Sequence, residues 1–155
     1  MFESRLEKRN ITLEGLDSEP VQVWGDPDLI GQVIYNLFEN ATKFVNTGGT
    51  ITFTFKDEPN STSIAIRNTG AGISKEELPK IFERFYKSDD SRSHDKTGLG
   101  IGLDITKHIV RLHKAQISVS SEEGEYTEFL IRLPKKDAPA ESPTENPEKQ
   151  PKDAR

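Results

Sequence analysis

No cysteine occurs in the 155 residues. Disulfide bonds and thiolate metal sites are therefore excluded, which fits a reducing compartment. No apolar run approaches the roughly 20 residues that span a bilayer. The opening Met1-Phe-Glu-Ser-Arg-Leu-Glu-Lys-Arg9 has no signal-peptide core. Any membrane anchor would have to lie outside this chain. A surplus of basic residues is missing too: the formal charge is −5, which argues against a nucleic-acid-binding surface. There is no internal repeat. Apolar residues are scarce, at 32% beside 30% charged, and much of that scarcity sits at one end. From Pro134 onward no apolar residue is larger than alanine, and prolines recur at 139, 143, 147 and 151. Such a segment can neither form a helix nor bury enough surface to offset its ordering entropy, so residues 135–155 read as a disordered tail. From Pro134 on, five basic and five acidic residues cancel, so the net charge belongs to the folded part.

The remainder is long enough for one domain with its own core. Residues 2–9 resemble the end of a charged helix. Asn10–Leu16 and Val21–Trp24 read as short strands around a Ser-Glu-Pro turn. Asp26-Pro27 is a helix start, the acid capping and proline at the first helical position, and the helix should run to about Phe44. Thr50–Lys56 and Thr62–Asn68 alternate and are joined by Asp-Glu-Pro-Asn-Ser, a hairpin signal. After Gly72, Ser74 and Glu77 have capping-box spacing for a short helix, and Pro79–Tyr86 is a further helical turn. Residues 87–98 lack a large apolar residue and read as a mobile loop. A third long helix is expected from Leu99 to His113, then strands Gln116–Ser121 and Thr127–Leu133. Hairpins among interleaved helices point to a mixed or antiparallel sheet in a two-layer α/β sandwich.

Three places carry chemistry. In Asn36-Leu-Phe-Glu-Asn40-Ala-Thr-Lys43-Phe44, at about 100° per residue, positions 36, 40 and 43 share a stripe roughly 60° wide beside an apolar face. A carboxamide oxygen suits Mg²⁺, and an ammonium neutralises phosphate oxygens. In isolation, an Asn-x-x-x-Asn pair is more often a solvated or hydrogen-bonded helix feature. Asn68-Thr-Gly70-Ala-Gly72-Ile73 turns a strand into a helix, and alternate glycines allow close backbone approach to a flat ligand; a tight loop is the default explanation. Gly98-Leu99-Gly100-Ile101-Gly102-Leu103 places three glycines where a polar loop enters a helix. Glycine is costly to helix stability there, but it exposes backbone N–H groups at the positive helix end, as a phosphate cradle does.

The order of these segments, with Phe82-Glu-Arg-Phe85-Tyr86-Lys87 between the two glycine loops, resembles the ATP-binding catalytic domain of bacterial sensor histidine kinases. The likeness covers about residues 10–134. Residues 26–44 resemble that family's N box, 68–73 its first glycine box, 81–87 its phenylalanine box and 98–103 its second glycine box. The resemblance implies an α+β Bergerat-type fold of the GHKL superfamily, with three main helices packed on a mixed five-stranded sheet. It implies ATP and Mg²⁺ as ligands. Asn40 would hold the metal, Asn36 would contact phosphate or metal-bound water, and Lys43 phosphate, with Phe44 against the adenine. Asn68 would accept from the adenine amino group, beside Gly70, Gly72 and Ile73. Lys87 would reach the terminal phosphate, and the backbone of Gly98, Leu99, Gly100, Ile101 and Gly102 would hold the phosphates. Glu39 is an acid–base candidate, although a solvated helix carboxylate is the commoner case. Phe82 and Phe85 are expected as core anchors of the lid.

None of His94, His108 and His113 matches the family's phosphoacceptor, which sits on a separate dimerising helical hairpin. Residues 1–9 resemble the end of that hairpin, so this chain is expected to be a fragment, monomeric by itself. The whole protein is expected to be a homodimer, membrane-anchored with this domain on the cytoplasmic side and partnered with a response regulator. Three departures from the pattern stand out. Asn68 replaces the usual Asp and removes charge assistance worth about 1 kcal/mol. Tyr126 stands where a second glycine is common, and Leu112-His-Lys-Ala115 lacks the usual glycine pair. Two other readings remain open: a serine kinase of the anti-sigma type, and a non-catalytic, nucleotide-responsive docking module.

Overall fold

The computed structural model of the chain describes residues 2–82 and 99–136, with the backbone alone at 2, 3 and 99–102. The loop at 87–98 and all but the first two residues of the tail lie outside the described residues. Helix α1 spans Phe2–Lys8, strand β1 Thr12–Glu14, helix α2 Pro27–Phe44, β2 Thr50–Asp57 and β3 Ser61–Thr69. A single 3₁₀ turn covers Leu78–Lys80, then come helix α3 (Leu99–Leu112), β4 (Gln116–Glu122) and β5 (Tyr126–Pro134). No described helix is long and apolar enough to cross a membrane.

The five strands form one sheet in the order β1-β2-β3-β5-β4. Only β1 and β2 are parallel, because α2 crosses over between them; the other pairs are antiparallel. Strand alternation sends Ile51, Phe53, Ile64, Ile66, Phe129, Ile131 and Leu133 to one face, where α2 and α3 cover them. The fold is thus the expected mixed five-stranded sheet with three helices. One expected strand is not formed: Val21–Trp24 joins no ladder. Its alternation is real, since Val21 and Val23 are half-buried between exposed neighbours. The carbonyl of Gln22 accepts instead from Thr62 Oγ1 at 2.8 Å, a side-chain bond in place of a ladder.

Asp26 caps α2 as its sequence predicts, its carboxylate accepting from Asp28 N at 2.9 Å and Leu29 N at 3.1 Å, with Pro27 next. Ile30, Val33, Leu37 and Ala41 are the buried face of this helix. Its C-terminal end is held from α1 and the turn after it: Arg9 donates to Thr42 O at 2.8 Å and also to Val45 O, and Arg5 of α1 donates to Thr42 Oγ1 at 3.2 Å. Cationic side chains thereby satisfy carbonyls that the helix itself leaves unpaired. At 74–80 the expected helix shrinks to turns: Ser74 Oγ accepts from Glu77 N at 3.2 Å, but Pro79 supplies no N–H to extend the ladder.

Helix α3 closes with Ala115 N donating to Val110 O at 3.0 Å and Lys114 N to Arg111 O at 3.0 Å. That closure requires a left-handed residue, and Lys114 fills it at φ +54. A non-glycine residue there is strained by about 1 kcal/mol. Lys114→Gly should therefore stabilise the domain by about 0.5 kcal/mol after the extra unfolded-state entropy of glycine is subtracted, measured as a higher urea midpoint. Arg9→Ala should lower stability by about 1–2 kcal/mol in the same measurement, since partly buried carbonyls lose charged donors. A midpoint unchanged in either variant contradicts the corresponding reading.

Candidate nucleotide-binding site

On the α2 wheel the polar stripe borders the buried face, and Asn40 lies about 20° from Val33. That position explains its burial, at 8% exposed. Its Nδ2 is buried and has no hydrogen-bond partner among the described residues. Leaving such a donor unpaired costs about 1–3 kcal/mol, so the group is one for which a ligand is the natural partner. Asn36, one turn earlier and half-buried, donates from Nδ2 to Thr106 Oγ1 of α3 at 3.3 Å. Thr106 is fully buried, so this bond ties the two helices beside the site. Lys43 Nζ lies 3.4 Å from the Glu39 carboxylate at the i,i+4 spacing. Glu39 is thus the counter-ion of Lys43. Phe44, the last residue of α2, is half-buried against the core.

The first glycine loop meets the end of this helix. Val45 and Gly70 form an isolated bridge, and Asn46 N donates to Thr69 O at 3.3 Å. Gly70 has φ +150, and a Cβ there would stand 2.5 Å from Phe44 O. Gly72 has φ +75, with Glu122 O at 2.5 Å from an added Cβ. Both glycines are required by protein backbone: one lets β3 pass under α2, the other lets the loop lie on β4. The tight-loop explanation is therefore the one visible in their contacts. Ile73, half-buried, follows and donates its N–H to Ser121 Oγ at 2.7 Å.

Asn68 lies on the inner face of β3, opposite Ile51 on one side and Thr127 on the other. It is 5% exposed and Thr127 is 7% exposed. Asn68 Nδ2 donates to Thr69 O at 2.9 Å. Ser121 Oγ donates to Tyr126 O at 2.6 Å and lies 3.2 Å from Thr127 Oγ1. Thr106, Ser121 and Thr127 were not anticipated as site residues. A signal existed for two of them: each is a polar side chain in phase with an apolar alternation, Ile117-Val119-Ser121 and Thr127-Phe129-Ile131.

Leu99, Gly100, Ile101 and Gly102 form the first turn of α3, whose N–H groups have no intrahelical partner. Gly98, Lys87 and Phe85 lie outside the described residues, as does His94. Phe82 anchors its segment as expected, edge-on to Phe129 with ring centroids 6.2 Å apart. Tyr126, in the place of a glycine, packs under the Arg67 guanidinium at 3.9 Å, on the sheet face away from the helices. His108 is exposed. His113 Nε2 accepts from Asp26 N at 3.0 Å, which holds the start of α2 to the end of α3, and its Nδ1 lies 2.9 Å from Ile109 O of α3, which orients the ring, so both nitrogens are engaged. The carboxamide stripe of α2 therefore runs beside α3, joined to it through Asn36 and Thr106, and the first glycine turn meets the C-terminal end of α2.

Residues 25–137 match the family model described as histidine kinase-, DNA gyrase B-, and HSP90-like ATPase. The chain is 41% identical over 115 residues to the sensor protein SrrB of Staphylococcus aureus, covering 74% of this chain and 20% of that protein. It thus spans about one fifth of the length of that curated relative. Among solved structures, the nucleotide-free catalytic domain of the histidine kinase ThkA superposes with a TM-score of 0.71 at 30% identity, covering 86% of each chain. The mycobacterial sensor histidine kinase MprB superposes with a TM-score of 0.68 at 29% identity, covering 85% of this chain and 89% of that one. The chain belongs to the histidine kinase-, DNA gyrase B- and HSP90-like ATPase family, and within it is an ATP-binding catalytic domain of the sensor histidine kinase type.

Proposed function

We propose that this domain binds Mg²⁺–ATP between α2 and the start of α3 and presents the γ-phosphate to a histidine on a dimerising helical hairpin. The observation that carries this reading is the buried amide nitrogen of Asn40, without a hydrogen-bond partner among the described residues, on the same helix stripe as Asn36 and Lys43. Mg²⁺ fits that group. The amide oxygen and nitrogen exchange places by a half-turn of the terminal torsion, which sets an oxygen ligand where an orphaned donor now stands. A bound Mg²⁺ would neutralise phosphate charge as the bond to the leaving diphosphate lengthens.

The chain's own residues position and neutralise. Asn36, held by Thr106, contacts phosphate or metal-bound water. Lys43, kept along the stripe by Glu39, contacts phosphate, and Glu39 acts through that lysine. The backbone of Gly98 to Gly102 and the side chain of Lys87 hold the remaining phosphate oxygens, while Phe44, Asn68, Gly70, Gly72 and Ile73 form the base end. An imidazole nitrogen attacks the γ-phosphorus, the bond to the bridging oxygen breaks and ADP leaves. Both nitrogens of His113 are engaged in packing, which supports an acceptor on another segment, with residues 1–9 as the end of its hairpin. The whole protein would be a membrane-anchored homodimer with this domain on the cytoplasmic side. It would pass its phosphoryl group to a response regulator.

Asn40→Ala should weaken Mg²⁺–ATP binding at least about tenfold in calorimetry, with an unchanged far-UV circular dichroism spectrum. An unaltered dissociation constant rules out the metal role. Asn68→Asp should tighten ATP several-fold by restoring a charged acceptor, and no gain would remove Asn68 from base recognition. Mixing the domain with its hairpin and ATP should yield acid-labile phosphate on the hairpin; acid-stable phosphate would point to a hydroxyl acceptor instead.

A further inference from the structure

The two edges of the sheet differ. Strand β1 is an edge of only 3 residues, a length that blunts it against further pairing. Strand β4, at the other end of the order, has 7 residues, and no described strand lies beyond it. Among the described residues, no backbone hydrogen bond leaves residues 116–121 except in the β5 ladder. Every second residue of an edge strand turns its N–H and C=O away from the sheet, so β4 presents a row of such groups. The usual protections are missing. Residues 116–121 contain no charge, proline or glycine, and the register with β5 runs unbroken from Gln116–Arg132 to Glu122–Tyr126, without a bulge. Ile117 and Val119 on the inner face are only half-buried. Charge is confined to the ends of the edge: exposed Arg111 and Lys114 precede it, and exposed Glu122, Glu123 and Glu125 close it. None of these five side chains is in an ion pair among the described residues.

We propose that β4 is a docking edge for a second copy of this chain, paired antiparallel about a two-fold axis at Ser118. Antiparallel self-pairing sets the basic entrance of each strand against the acidic exit of the other, with Lys114 opposite Glu122 on both sides of the axis. Parallel pairing would set like charges together, and a strand of unrelated sequence would leave these ends unmatched. With the axis at Ser118, Ile117 meets Val119 of the second copy, and the apolar inner face continues across the junction. Two five-stranded sheets thereby become one. A single strand pair buries less than a standard interface, so the association is weak and reversible, and the chain is a monomer only when dilute.

The test is sedimentation equilibrium of the full chain at low salt, from about 10 μM to about 1 mM. No nucleotide is added, so the outcome is independent of the ATP-binding reading. Wild type should pass from monomer towards dimer across that range, with amides in residues 117–121 exchanging more slowly at the high end. Glu122→Lys sets lysine against lysine and should weaken the dimer about tenfold, and adding Lys114→Glu should restore it. Ser118→Lys puts a charge at the centre of the edge and should abolish pairing. All three side chains are exposed, so circular dichroism should show the fold intact in every variant. A wild-type chain that stays monomeric up to about 1 mM overturns the proposal. So does a dimer indifferent to Ser118→Lys and Glu122→Lys, which would place the contact elsewhere. A charge-reversed double variant no stronger than Glu122→Lys overturns the antiparallel pairing and the proposal with it.

Discussion

Burial of one face of α2 against the sheet is the constraint on which the site depends. Val33 and Leu37 are almost wholly excluded from water, and the helix cannot rotate without exposing them. That setting puts Asn40 at the seam and leaves Asn36 and Lys43 one step further out. The axial position is fixed separately, by the Val45–Gly70 bridge at one end and by Asp26, held through His113, at the other. Core and site are therefore two sides of a single helix, and an error in packing becomes an error in where the carboxamides stand.

The opposite wall depends on strand register. Antiparallel pairing of β3 with β5 sets Asn68 across from Thr127, and pairing of β5 with β4 brings Ser121 across from Thr127 on its other side. A slip of one residue in either ladder would turn these polar groups to the outer face and leave the inner face without them. The two glycines act in the same sense. Each lets one backbone lie against another at a distance that a Cβ would forbid, so the loop carrying Ile73 is located by the helix end and by β4 together.

Local preference yields to these constraints in two places. Asn10 and Lys114 both adopt positive φ, the first as the residue that reverses the chain after α1, the second after α3. Asparagine tolerates that conformation, and lysine does so at a cost that the surrounding hydrogen bonds offset. The closure survives without the glycines because the backbone bonds, rather than the side chain, define it.

Much of this was legible in the chain. Asp26-Pro27 fixed a helix start because capping is local, and the alternation in 50–56 and 62–68 marked the hairpin because every second side chain must face the core. The spacing of Asn36, Asn40 and Lys43 placed them on one stripe by helical geometry alone. Val21–Trp24 has the same alternation and forms no strand, since a ladder needs a partner edge and alternation does not name one. Partnership is what local sequence omits. That Asn36 is held by Thr106, that Glu39 neutralises Lys43, and that the Ser121 hydroxyl meets that of Thr127, 6 residues away across a hairpin turn, are all decided by packing. Residue types and periods are set by chemistry along the chain. Which hydrogen each buried hydroxyl gives up, and to whom, follows only when strands and helices have excluded water and left each polar group with the neighbours it has.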